Sequence, residues 1–228
     1  VFSQRQVPAR FRTLLAAIIT LLIVHGLPPV PVVDLFSLEA IALIAQQIVI
    51  GLVMGFMLQL ALQALVFGGQ LMAYSMGLGF ANMMDPANGA QVPVVSQYWL
   101  ILGLLVFVIT NGHLLFLETV ANSFALMPVA SGGITRAGFW DLVSWGGELF
   151  SAGLLMSLPV VVALKLVNIG MGVITRAAPQ LNIFAVGFPI TLLMGLLLMW
   201  AILPSLMANF NELKLAAMAA TADILRLR

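Results

Sequence analysis

Histidines, carboxylates and buried amines are the side chains best suited to acid–base or metal chemistry, and here their spacing works against both. His113 and Glu118 lie five residues apart, which on a helix sets them about 140° around from one another, too far to share one ligand or one proton. His25 has no matching partner near it in sequence. Gly77-Leu78-Gly79 lacks the third glycine at the offset a phosphate-binding loop needs. With 0 Cys, thiolate catalysis, disulfides and cysteine-held metals drop out together. These residues give no catalytic constellation, no metal site and no cofactor, so the expected class is not an enzyme. Lys165 is the one charge worth weighing separately, because it lies inside an apolar run with Asn168 one turn further on. A cation at such a place is either a transport group or a lysine that snorkels or pairs with a carboxylate of another chain, and the second reading is preferred.

The elements that hold these residues belong to a membrane protein. Hydrophobic residues make up 62% of the 228 and charged residues only 7%, against about 25% in a soluble domain, so this chain would expose too much apolar surface in water. A mean hydropathy of +1.14 agrees. The net charge of +1 offers no basic patch for nucleic acid. Five apolar runs, near 14–24, 40–76, 96–127, 149–174 and 183–203, point to an all-α fold spanning the bilayer. The basic cluster Arg5, Arg10 and Arg12 before the first run puts that end on the cytoplasmic side. The second run is longer than a bilayer requires, so it must tilt, break near Gly68-Gly69, or leave the membrane plane. Asn111-Gly112-His113 inside the third run reads as a helical hairpin turn or a buried irregularity, and Pro159, Pro189 and Pro204 predict kinks or ends.

Gly51, Gly55, Gln59 and Gln63 recur every fourth residue, a ridge of two small residues and two amides on one helix face. Glycines admit another backbone and amides need partners that hydrocarbon cannot supply, so the ridge is read as a helix-packing surface in preference to a polar pore lining. Residues 77–90, rich in Gly and Asn and holding Asp85-Pro86, read as a loop. Along 208–228, Phe210, Leu213, Ala217, Ala220, Ile224 and Leu227 step by three and four, as in an amphipathic helix that would pack on a partner or a membrane surface.

Three stretches resemble one known family. Arg176-Ala177-Ala178-Pro179-Gln180-Leu181-Asn182-Ile183-Phe184-Ala185-Val186-Gly187-Phe188-Pro189, the Gly77 to Pro86 stretch and Asn111-Gly112-His113 together resemble the FliR family of flagellar type III export subunits. The match covers nearly the whole chain as a single membrane-embedded domain, 1–228, and implies one hydrophobic segment upstream of Val1. Gly187-Phe188-Pro189 looks more flagellar than the homologous virulence-secretion subunit. The resemblance implies helical hairpins packed side by side in an inner-membrane export gate of the flagellar basal body. It further implies assembly with FliP and FliQ, with FlhB and FlhA alongside, and exported flagellar proteins in transit. It places a channel plug at 78–90, with Phe80, Met83, Met84, Asp85 and Pro86, Phe80 matching the family's plug aromatic and Met83 standing where some members have a second aromatic. Subunit packing falls to Gly51, Gly55, Gln59, Gln63, Pro179, Gln180, Asn182 and Phe188. Lys165 departs from an expected apolar position. The alternative is a secondary transporter of a small solute, using Lys165, Asn168 and the Gln ridge as its midplane site.

Overall fold

The computed structural model describes residues 8–27, 33–34, 36–79, 93–129, 132–178 and 183–226, and among them there are helices and no strand. In chain order these are α1 (Ala9–Val24), α2 (Leu38–Ser75), α3 (Val94–Ile109), α4 (Gly112–Leu126), α5 (Arg136–Ala177) and α6 (Ile183–Arg226). The side chains of 183–185 lie outside the description. The all-α membrane fold read from composition is thus the fold observed. Helices α2, α5 and α6 are long and apolar enough to cross a membrane, and a fourth crossing arises if the bent pair α3 and α4 counts as one. The first apolar run yields only the 16 residues of α1, short of the roughly 20 a bilayer demands.

Several breaks expected from single residues do not occur. Helix α2 runs through Gly68-Gly69 uninterrupted, and Pro159, Pro189 and Pro204 all lie inside their helices. Neighbouring helices in an apolar setting can take up the backbone groups that a proline frees, so proline is tolerated there better than in a solvated helix. The expected break at Asn111 is present. Its φ of 54° is left-handed, a conformation Asn tolerates, and its carbonyl accepts from the amides of Leu114 and Leu115 to start α4.

Two compact units divide the chain, the first formed by Val1–Met57, Thr110–Leu142 and Ala217–Arg228, the second by Leu58–Ile109 and Val143–Ala216. In the first unit Ile50, Met54, Met127 and Leu225 form a buried cluster lined by Phe116, Val120, Leu126 and Ile134. Gly138 stands where a Cβ would meet the Ile224 carbonyl at 3.2 Å, so α5 and α6 approach at their backbones there. The last turns of α6 are therefore covered by the chain itself. Ala217, Met218, Ile224 and Leu225 are buried without any partner or membrane surface, which corrects the expectation of an outward-packing tail. Residues from 208 on simply continue α6.

In the second unit α2 is the hub. Its residues Ala61, Ala64, Leu65, Gly68, Gly69, Met72, Ala73 and Met76 are buried, a stripe at three-four spacing. Gly68 meets Gly153 of α5, with the added Cβ 2.8 Å from the Gly153 carbonyl oxygen, and Gly69 meets Ser96 of α3 at 2.6 Å from its Cα. A Cβ at Gly103 of α3 would collide with Leu65 and touch Phe210 of α6 at 3.7 Å. Phe67 and Phe150 stack edge to face at 5.3 Å beside the glycine crossing. Lys214 belongs to this interior too. It is 2% exposed, and its Nζ donates to Asn211 Oδ1 at 2.7 Å, so this cation is buried with a hydrogen-bond partner.

Candidate functional site

The end of α2 leads directly into the segment that the sequence singled out as a loop, and its backbone is fully accounted for up to that point. Gly77 has φ +86°, the left-handed residue that follows many helices. The Leu78 amide donates to the Ala73 carbonyl at 3.0 Å and the Gly77 amide to the Tyr74 carbonyl at 3.1 Å, the paired bonds of a Schellman cap. That leaves the carbonyls of Ser75 and Met76 facing outward from the helix end. Two side chains from other helices reach them. Asn168 Nδ2 of α5 donates to Ser75 O at 3.5 Å, and Thr191 Oγ1 of α6 donates to Met76 O at 3.3 Å.

Apolar contacts close the same corner. A Cβ on Gly77 would lie 3.2 Å from Phe188 Cδ2, and a Cβ on Gly195 would lie 2.5 Å from Met76 Cγ, so Phe188 covers the turn and α6 seats Met76. Met76 is 1% exposed while Phe188 remains 42% exposed. Two motifs more than a hundred residues apart, Gly77-Leu78-Gly79 and Gly187-Phe188-Pro189, thus form one corner. Asn168 and Thr191 were not read as its partners, because isolated polar residues in apolar helices carry no signal of what they face.

The other expected site residues divide into three groups. Gly51 and Gly55 have nothing within 4 Å of an added Cβ, Gln59 is exposed and Gln63 half-buried, so this ridge lies on the side of α2 away from the packed stripe. At 100° per residue Gln59 and Gly68 stand about 180° apart, which is why both cannot pack on the same neighbours. Phe80, Met83, Met84, Asp85, Pro86, Pro179, Gln180 and Asn182 lie outside the described residues. Lys165 is exposed on α5, and the amide of Asn168, the other half of the imagined solute site, is engaged with Ser75.

The histidines and carboxylates weighed for chemistry lie apart in the described residues. Among the described residues no group of three or more His, Asp or Glu could hold a metal ion. His113 is half-buried with an unpartnered Nδ1, Glu118 is exposed, and His25 Nδ1 lies 3.2 Å from the Leu21 carbonyl. What the geometry offers is a held helix end beside open apolar faces.

Comparison with known proteins agrees along the full length. The bacterial export proteins, family 1, match residues 1–216. The flagellar biosynthetic protein FliR of Pectobacterium carotovorum is 36% identical over 225 residues, covering 99% of this chain and 86% of its own. That of Escherichia coli K12 is 38% identical over 214 residues, with 93% and 80% covered. The Bacillus subtilis FliR, 27% identical over 203 residues, covers 87% of this chain and 78% of its own. With the match spanning both compact units and the corner between α2, α5 and α6, the chain belongs to the bacterial export proteins, family 1.

Proposed function

We propose that this chain is a subunit of the flagellar type III export gate in the cytoplasmic membrane. In this reading it assembles with FliP and FliQ, with FlhB and FlhA alongside, around a channel for unfolded flagellar proteins, and residues 78–90 plug that channel.

The observation that carries the reading is the pair of open faces on α2 and α5. From Phe139 to Ile174 α5 exposes Trp140, Val143, Phe150, Leu154, Leu158, Val162, Ile169 and Val173. Asp141 and Glu148 are exposed in the first part of that face, so its apolar stretch runs from Phe150 to Ile174, broken by Lys165, about 36 Å at 1.5 Å per residue. A hydrocarbon core of about 30 Å takes up most of that with a tilt, which leaves Trp140 and Val143, set among the charges, open to other protein. The ridge of Gly51, Gly55 and Gln59 on α2 supports the same conclusion, since it is open in this chain and is shaped for a close-packed helix with hydrogen-bonding groups. The family and the flagellar names of the relatives point to which assembly supplies the cover.

Expression in a motile bacterium lacking its own FliR relative tests the proposal. Swimming and secretion of hook and filament proteins should return. A complete lack of export, with the chain present in membranes at the relative's normal level, would refute it.

A further inference from the structure

We propose that Asn168 and Thr191 form a releasable clasp on the C-terminal end of α2, giving that helix end a held and a freed state. The hydrogen bonds themselves make the case. Thr191 has one hydroxyl proton and two acceptors in reach, the Met76 carbonyl at 3.3 Å and the Phe188 carbonyl of its own helix at 3.0 Å. Turning the hydroxyl from the first to the second releases α2 while Thr191 keeps a bond. Asn168 holds Ser75 at 3.5 Å, the long limit for such a bond, from an exposed position on α5 where other donors and acceptors can compete for its amide. The apolar seat yields in the same way. Met76 rests on Gly195 through an unbranched side chain that can change rotamer, and among the described residues the half-exposed Phe188 ring is what a Cβ on Gly77 would meet.

A fixed helix end would be built otherwise. Further down α2, Gly68 and Gly69 lock the helix to α5 and α3 at backbone distance, the nearest atoms being backbone of Gly153 and Ser96, which cannot swing aside. The contrast is between a shaft that cannot move and a tip held by two weak, exchangeable bonds. The Schellman turn at Gly77 lies wholly in the tip, so its two amides report whether the clasp is closed. The consequence for export rests on the plug reading of residues 78–90, because the tip is the point from which the chain continues toward them; the clasp does not.

Amide hydrogen exchange on the assembled membrane complex, comparing the native chain with the double variant Asn168→Ala and Thr191→Val, tests it. Exchange at Gly77 and Leu78 should accelerate roughly tenfold or more, the scale of losing one or two net hydrogen bonds, while α3 exchanges at its native rate. Thr191→Ser, which keeps the hydroxyl, should lie near the native rate. Unchanged exchange at Gly77 and Leu78, or equal acceleration in α3, would overturn the clasp. Ion leakage measured in the same cells reports separately on the plug: faster exchange without leakage leaves the clasp standing and counts against the plug.

Discussion

Replacing Gly153 with valine should leave almost no folded chain to recover from membranes. A Cβ there would stand 2.7 Å from the Ala64 carbonyl oxygen and 2.8 Å from Phe67 Cδ1, and valine adds two further methyl groups. The obstacle is backbone on α2, which cannot turn aside as a side chain can. The facing Gly68 has no slack either, since its own added Cβ would lie 2.8 Å from the Gly153 carbonyl oxygen. Separating α2 from α5 would also part Phe67 from Phe150 and uncover Leu164 and Val160. Overpacking a tight core costs about 1–3 kcal/mol, and a backbone clash belongs at or above the top of that range. The control is Gly170→Ala, where nothing lies within 4 Å and the better helix former should leave stability unchanged or improve it by up to about 1 kcal/mol. Membrane yield and thermal melting in detergent read both. A Gly153→Val chain with native yield and melting would mean that the crossing is not close-packed.

The second large effect is expected at the proposed plug, residues 78–90. Changing Phe80 and Met83 to glycine should raise ion leakage several-fold in cells making the full complex, with the complex itself recovered intact. Phe80, Met83 and Met84 are bulky apolar groups able to exclude water from a narrow passage, and methionine's flexible thioether can fill an irregular gap and move aside for different passing chains. Glycine removes that bulk and loosens the backbone at once. These residues lie outside the described part of the chain, so the expectation rests on residue type, on family resemblance and on the held helix end before them. An assembled complex that stays as tight as native would show that the seal lies elsewhere.

Much of the fold was legible in the sequence because apolar length is a one-dimensional signal. The runs at 40–76, 149–174 and 183–203 became α2, α5 and α6, and the Asn111 break stood out as a polar, glycine-bearing interruption. Which glycines make contact was not legible. Gly51 and Gly55 repeat at four-residue spacing and look like a packing face, whereas the closest approaches within the chain use Gly68, Gly69, Gly103, Gly153 and Gly195, which share no single period. Spacing tells that residues share a face; only the fold tells what that face meets. Gly68-Gly69 looked like a helix breaker for the same reason, since loss of a side chain weakens an isolated helix but allows a crossing in a packed one. The corner at Gly77 shows the limit most clearly. Phe188 also covers a turn of its own chain, and Asn168, weighed as half of a solute site, donates to a helix end 93 residues away.

The central claim is that the open faces of α2 and α5 are covered by other subunits of an export gate. Gentle solubilisation of native membranes and affinity purification of this chain, followed by mass measurement of the intact particle, tests it most directly. A large particle is expected in which this chain is a minority component beside small, multi-copy hydrophobic subunits of the FliP and FliQ type. Recovery of the chain alone, or as a pair of identical copies, from membranes that export normally would contradict it.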